Sequence, residues 1–237
     1  MKKILLTFGV LSLLLHTSFC QKAPVTFGKI DKEDVAGNVY KNDTSAAAVV
    51  LADYGWFDIN NFTFTQTLRV KILKKAGYDL ADFTYYTDER PNVKGMVYNL
   101  DGDKVIKEKL PASSFYYKKL GTDSWETSFS IPNVKEGTVF DIQYTYSGLP
   151  FVWLFQRTIP VKYSELDIPQ SPYLNYSKNF FGYTPLAIST GDKWVATDVP
   201  AFREEPYINS RENYMTKMEI EIRSITIPGY VRNYSST

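Results

Sequence analysis

The segment "NFTFTQTLRVKIL" places Phe62, Phe64, Leu68, Val70 and Ile72 on one parity and Thr63, Thr65, Thr67, Arg69 and Lys71 on the other. A helix of 3.6 residues per turn would scatter these side chains around its axis, whereas a strand sends alternate residues to opposite faces. The segment predicts a half-buried strand. The same logic recurs downstream. "VKGMVYNLDGDKVIKEKL" sets Asp101, Gly102 and Asp103 between two apolar runs, and residues that tolerate positive φ predict a hairpin there. In "WETSFSIPNVKEGTVFDIQYTY", Trp125, Phe129 and Ile131 line one strand, and Phe140, Ile142, Tyr144 and Tyr146 line the next. Asp141, Gln143 and Thr145 are expected to face water.

"FVWLFQRTIPVKYSE" and "DKWVATDVP" read as further strands, with Pro160 placing the first at an edge or a bulge. "MEIEIRSITI" alternates Met218, Ile220 and Ile222 and then slips parity to Ile225 and Ile227, which predicts a bulge near Ser224. The single helical candidate is a short stretch from Ile30 to Val35, with carboxylates near its start. Strands of this length between Gly, Pro, Asn and Asp predict an all-β fold, an antiparallel immunoglobulin-like β-sandwich with long loops and little helix. "DIPQSPYLNYSKNFFGYTP" (167–185) is loop-rich, and its aromatic density predicts that it packs against the sandwich.

The first twenty residues, "MKKILLTFGVLSLLLHTSFC", carry Lys2 and Lys3, an apolar run from Ile4 to Leu15 and a small polar close, the pattern of a secretory signal peptide. The run is shorter than the roughly 18 residues of a spanning helix, and no later segment approaches that length, so the mature chain is expected to have no transmembrane segment. Cys20 fits two kinds of processing. Ser18 and Cys20 obey the small-x-small rule of ordinary cleavage, leaving Gln21 first, while Thr17 and Phe19 fit a lipoprotein signal less well. The expected location is the periplasm or the cell envelope. The chain then divides into a signal peptide (1–20), a lead-in segment (21–45), a sandwich domain (46–230) and a C-terminal linker or truncation point (231–237).

Cleavage after residue 20 removes the chain's one cysteine and its one histidine, His16. A disulfide framework, a thiol nucleophile, a Cys/His zinc site and imidazole-dependent catalysis are all excluded from the remainder. Losing Lys2 and Lys3 lowers the basic count from 27 to 25 against 26 acidic residues, with no polybasic cluster, so nucleic acid is not an expected partner. No cofactor motif is present. The "DGD" of residues 101–103 lacks the spaced ligand series of a calcium loop and reads as a turn.

The densest set of functional groups lies in "PAFREEPYINSRENY" (200–214). Glu204, Glu205 and Glu212 are the carboxylates available for acid–base work, beside Arg203, Arg211 and Tyr207. Adjacent Glu204 and Glu205 point to opposite sides of an extended chain, and the arginines are near enough in sequence to neutralise them, so a connector between strands is the plainer reading. A glycoside-processing or carbohydrate-binding site would require two of these carboxylates in one concave cleft, roughly 5–10 Å apart. Trp153, Phe155, Tyr173, Tyr176, Phe180, Phe181 and Tyr183 form the aromatic set from which a recognition platform could be built, with Trp153 and Tyr183 its leading members. Core packing is the competing role for the same rings.

Six segments together resemble the DUF3857 family, exported Bacteroidetes proteins in which this domain precedes a transglutaminase-like domain. They are "AAAVVLADYGWFDI", "RVKILKKAG", "VYNLDGDKV", "FSIPNVKEGTVFDIQYTY", "FQRTIPVKYSE" and "PAFREEPYINSRENY", spanning about Ala46 to Tyr214 in the family's order. The resemblance implies an immunoglobulin-like sandwich adjoining a papain-like fold with a Cys/His/Asp site. No member of that triad can be placed on this chain after residue 20, and "VRNYSST" falls where the family continues into the enzyme domain. Asp141 stands where the family more often has glutamate, a change expected to matter little on a solvent-facing position. The resulting expectation is a non-catalytic exported module, accessory to a transglutaminase-like domain or binding an envelope protein or glycan.

Overall fold

A computed structural model describes residues 23–204 and 210–234, with the side chains of Glu212 and Ile227 outside the description. Along the chain, a single-turn helix α1 (Lys32–Val35) precedes β1 (Ala48–Asp58), β2 (Thr63–Ile72), β3 (Asp82–Thr87), β4 (Asn92–Asp101) and β5 (Lys104–Lys109). There follow β6 (Tyr116–Gly121), β7 (Ser124–Ser130), β8 (Val139–Ser147), β9 (Val152–Leu154) and β10 (Val161–Asp167). The remaining strands are β11 (Leu174–Phe181), β12 (Ile188–Ser189), β13 (Lys193–Val199), β14 (Lys217–Ile227) and β15 (Tyr230–Asn233).

The strands form one large sheet in the order β12-β13-β10-β1-β2-β8-β4-β5 and two small ones, β3-β7-β6 and β11-β14-β15 with β9 also on β14. Phe83 and Phe129 of one small sheet, and Leu174, Met218 and Ile220 of the other, share one apolar core with Phe64, Leu68, Val70, Phe140 and Ile142 of the large sheet. Both small sheets therefore cover the same face of the large one, giving an all-β, sandwich-like fold. The expected antiparallel order holds except at one place: β1 and β10 run parallel, Val50 opposite Val161.

The alternation in β2 and β8 sets this core as read from the sequence. The "LDGD" hairpin joins β4 to β5 with Gly102 at φ +55°. The parity slip in β14 is a bulge, since Asn175 faces Ser224 while Tyr176 faces Ile222, leaving Arg223 as the extra residue. β1 carries a second bulge between Val50 and Ala52. It moves Asp53, Gly55 and Phe57 onto the inner face, where Gly55 approaches Phe64 and Trp153 so closely that a Cβ would lie about 2.5 Å from both rings. Pro160 stands just before β10, an interior strand, and its carbonyl accepts the Val50 N–H at 2.9 Å. It caps the entry to a strand, where the missing N–H interrupts no ladder.

Three expectations are corrected. Residues 174–181, read as loop, form the edge strand β11, paired along its length with β14. Tyr230–Asn233, assigned mostly to a linker, pairs with β14 as β15. The third concerns Asp141, which lies on the face opposite the core as its parity requires but has no exposed surface.

The lead-in segment accounts for that burial. Val35 packs against Tyr98 and Val139 on the outer face of the large sheet, and the backbone around it is held by charged side chains. Arg69 donates to the Thr26 carbonyl at 3.3 Å and to the Lys29 carbonyl, while Lys71 donates to the carbonyls of Asp34 and Ala36 at 2.8 and 2.7 Å. Arg69 also grips Asp141 through Nε at 2.7 Å and Nη2 at 3.0 Å. The Asp141 carboxylate accepts two more hydrogen bonds, from the Tyr98 hydroxyl at 2.6 Å and the Gly28 N–H at 3.1 Å. Burial works against the Arg69 charge, but Asp141, helped by Tyr98 and Asp34, holds the guanidinium above its ordinary pKa. Burial dominates for Lys71, whose pKa is lowered.

Candidate functional site

Of the sequence-selected residues, Trp153 belongs to the core. It is 2% exposed, lies edge-on to Phe64 at 6.0 Å and donates its indole N–H to Ser164 Oγ at 3.1 Å. Phe155 is fully buried, whereas Tyr183 is 90% exposed. The expected platform is thus divided between core and surface. Arg203 and Glu204 are exposed and form separate pairs, Arg203 with Asp43 at 3.5 Å and Glu204 with Arg211 at 3.8 Å. Glu205 and Tyr207 lie outside the described residues, as does the side chain of Glu212. Arg203 borders a small polar recess with Tyr40, Asn42 and Asp198. There the Asp198 carboxylate accepts from the Tyr40 hydroxyl at 3.0 Å and Asn42 Nδ2 at 2.8 Å. Burial and Asp198 push the Tyr40 hydroxyl up to about 12. Its opposite charges compensate one another within the chain.

A second cavity, of about 360 Å³ and with a largely apolar and aromatic lining, opens between the two small sheets. Three separate stretches of sequence build it. The alternation of β8 sends Tyr144 and Tyr146 inward, where their rings stack with centroids 6.0 Å apart. β3 contributes Tyr85, 5.3 Å from Tyr144, and β14 contributes Ile220 and Ile222. Beyond β8 the chain turns at Gly148, φ +91°, which brings Leu149, Pro150 and Phe151 into the wall. Asp88 and Glu89, in the turn after β3, supply the carboxylates of the lining. Glu89 Oε1 accepts the Ser147 N–H at 2.6 Å, tying that turn to the end of β8.

Below Tyr144 runs a polar chain through the otherwise apolar core. The Tyr144 hydroxyl bonds to Gln66 Oε1, Gln66 Nε2 donates to Asp53, and Arg157 Nη2 donates to Asp53 at 2.6 Å. Gln66 shares parity with Phe64 and Leu68, so its 5% exposure follows from the strand pattern. Burial opposes the Arg157 charge, and Asp53, helped by Tyr144 and Tyr85, holds the guanidinium above its ordinary pKa. Burial raises the phenols of Tyr85, Tyr144 and Tyr146 well above 10, so all three are protonated at neutral pH. They serve as hydrogen-bond donors and apolar wall, and none is poised for proton transfer near pH 7.

Sequence reasoning placed Tyr144 and Tyr146 on one face but missed Tyr85, Asp88, Glu89 and Phe151. "DFTYYTDERP" does carry a signal, Phe83 and Tyr85 on one parity before an acidic turn, and its alternation is short enough to pass for loop.

No family model matches the chain, and no curated protein matches it. Among solved structures, it is similar to a Parabacteroides distasonis protein provisionally described as a protease. The TM-score is 0.56 at 13% identity over 75% of this chain, which spans 41% of that protein's length. The likeness concerns the fold. Yeast LTA4 hydrolase is similar at a TM-score of 0.34 and 9% identity, over 84% of this chain and 34% of that one, too low a score to support any argument.

Proposed function

We propose that this chain is an exported, non-catalytic β-sandwich module of the DUF3857 type, accessory to a transglutaminase-like domain. The carrying observation is that its fold recurs over 41% of a longer Bacteroidetes protein, so the same architecture exists as one part of a larger chain. The residue inventory agrees with a supporting role: beyond residue 20 there is neither cysteine nor histidine, and the phenols around the central cavity are held protonated. The segment resemblance from Ala46 to Tyr214 supports the DUF3857 reading.

The test is twofold. The DNA beyond Thr237, and the neighbouring genes, are searched for a transglutaminase-like sequence with a Cys/His/Asp set, and the purified chain is assayed alone and with that domain. An accessory module is inactive by itself and binds or stabilises the catalytic domain. Hydrolase or amidase activity of the purified chain alone would refute the reading. Binding of an envelope glycan with no effect on the catalytic domain would instead favour a free-standing binding module.

A further inference from the structure

We infer that the cavity between the two small sheets is a binding site for an organic cation carried on an apolar body, such as an aryl-alkyl or alkyl ammonium group. The inference stands on this cavity alone and does not depend on the accessory role. The volume of about 360 Å³ lies at the small end of the range of small-molecule sites. Its walls combine aromatic rings, from Tyr85, Tyr144 and Tyr146, with aliphatic surface from Leu149, Ile220 and Ile222. Such a lining accepts an apolar body and offers the negative faces of π systems to a positive charge.

The charges in the lining are all of one sign. Asp88 and Glu89 are its ionisable acids, and among the described residues no lysine or arginine lines it. The nearest cation in sequence, Arg90, is turned away, its guanidinium 4.0 Å above the Tyr117 ring. Glu89 uses one carboxylate oxygen on the Ser147 N–H and keeps the other for a ligand. Burial raises the Tyr85 and Tyr146 phenols, and among the described residues no hydrogen bond contributes to either shift. Their oxygens are thus available to ammonium N–H donors. The Arg157 guanidinium beneath Tyr144 is neutralised by Asp53 at 2.6 Å, so an anion would meet the two lining carboxylates with only phenol O–H groups to offset them, and a neutral ligand would forgo the carboxylates.

Isothermal titration of the purified chain at low salt with phenethylammonium, neutral 2-phenylethanol and anionic 3-phenylpropanoate tests this directly. The cation is expected to bind roughly three- to tenfold tighter than the alcohol, and the anion more weakly than either. Asp88→Asn, an exposed change, should bring the cation toward the affinity of the alcohol while leaving the alcohol unchanged. Leu149→Trp should fill the cavity and abolish both. If circular dichroism shows that this variant does not fold, Phe151→Ala at the exposed rim replaces it, with an expected loss of about threefold for both ligands. Equal affinity for cation and alcohol, preference for the anion, no binding of any probe at millimolar concentration, or an unaltered Asp88→Asn variant would each overturn the assignment.

Discussion

Replacing Asp141 with alanine should release the lead-in segment and destabilise the whole sandwich. Asp141 has no exposed surface, and Arg69 opposite it has a side chain only 7% exposed. Removing the carboxylate leaves a buried guanidinium with only the more distant Asp34, at 3.6 Å, as counter-charge and deprives the Tyr98 hydroxyl and the Gly28 N–H of their acceptor. Breaking a buried pair by removing one partner costs about 3–5 kcal/mol. With a urea m value of about 3 kcal/mol/M, the unfolding midpoint should fall by about 1–1.7 M. The loss should also be felt locally, because Arg69 and Lys71 bind the backbone of residues 26–36. Trypsin should therefore cut at Lys29 or Lys32 in Asp141→Ala under conditions that spare the parent. Replacing the pair together, as Arg69→Met with Asp141→Leu, should recover part of the loss, since no charge is left buried alone. A midpoint within about 0.3 M of the parent for the single variant, together with unchanged cleavage, would refute the fastening role. Asp141→Glu should cost about 1–3 kcal/mol because it adds a methylene to a side chain that has no exposed surface.

Gly55→Ala should destabilise by about 1–3 kcal/mol and alter the Trp153 fluorescence, since the new methyl would meet Phe64 and Trp153 at about 2.5 Å. Stability should fall as pH rises above about 10, because unfolded tyrosines ionise there while burial pushes those of Tyr54 and Tyr176 up to about 12 in the fold and Tyr85, Tyr144 and Tyr146 higher still. The native state binds more protons than the unfolded one in that window, so the sign is a loss; absorbance at 295 nm should show a late phenolate step that moves to about pH 10 in denaturant. Glu204→Gln should change stability by less than about 0.5 kcal/mol in thermal melts, as its pair with Arg211 is exposed. Trp153→Ala should cost about 3–5 kcal/mol and Tyr183→Ala almost nothing, separating the two aromatics once grouped together.

The inner face of the large sheet was legible because alternation in β2 and β8 is strict and long. Parity, however, reports which face a side chain occupies and nothing about what covers that face. Arg69, Lys71 and Asp141 sit on the outer parity as read, and their burial depends on a segment that reaches Asp141 across 113 residues of sequence. β11 escaped for another reason: it is an edge strand with an exposed outer half, so selection for apolar alternation is weak along it. The cavity needed three distant stretches to be brought together, and only the Tyr144–Tyr146 wall lies within a single pattern. In "PAFREEPYINSRENY", composition pointed to chemistry, but the described arginines pair with scattered carboxylates at the surface.

The parallel pairing of β1 with β10 has a consequence for how the chain acquires its shape. Strands β1, β2, β8, β4 and β5 join their neighbours by antiparallel pairing, yet β1 gains its second neighbour only when Val161 reaches Val50, after more than a hundred intervening residues. Closing so long a loop is slow relative to forming a hairpin. Until it closes, one side of β1 is an open row of amide and carbonyl groups next to a largely apolar strand, the surface on which chains pair with one another. The joining of β10 and β13 is therefore the step at which productive folding competes with aggregation, and crowding during synthesis would be expected to exact its toll there.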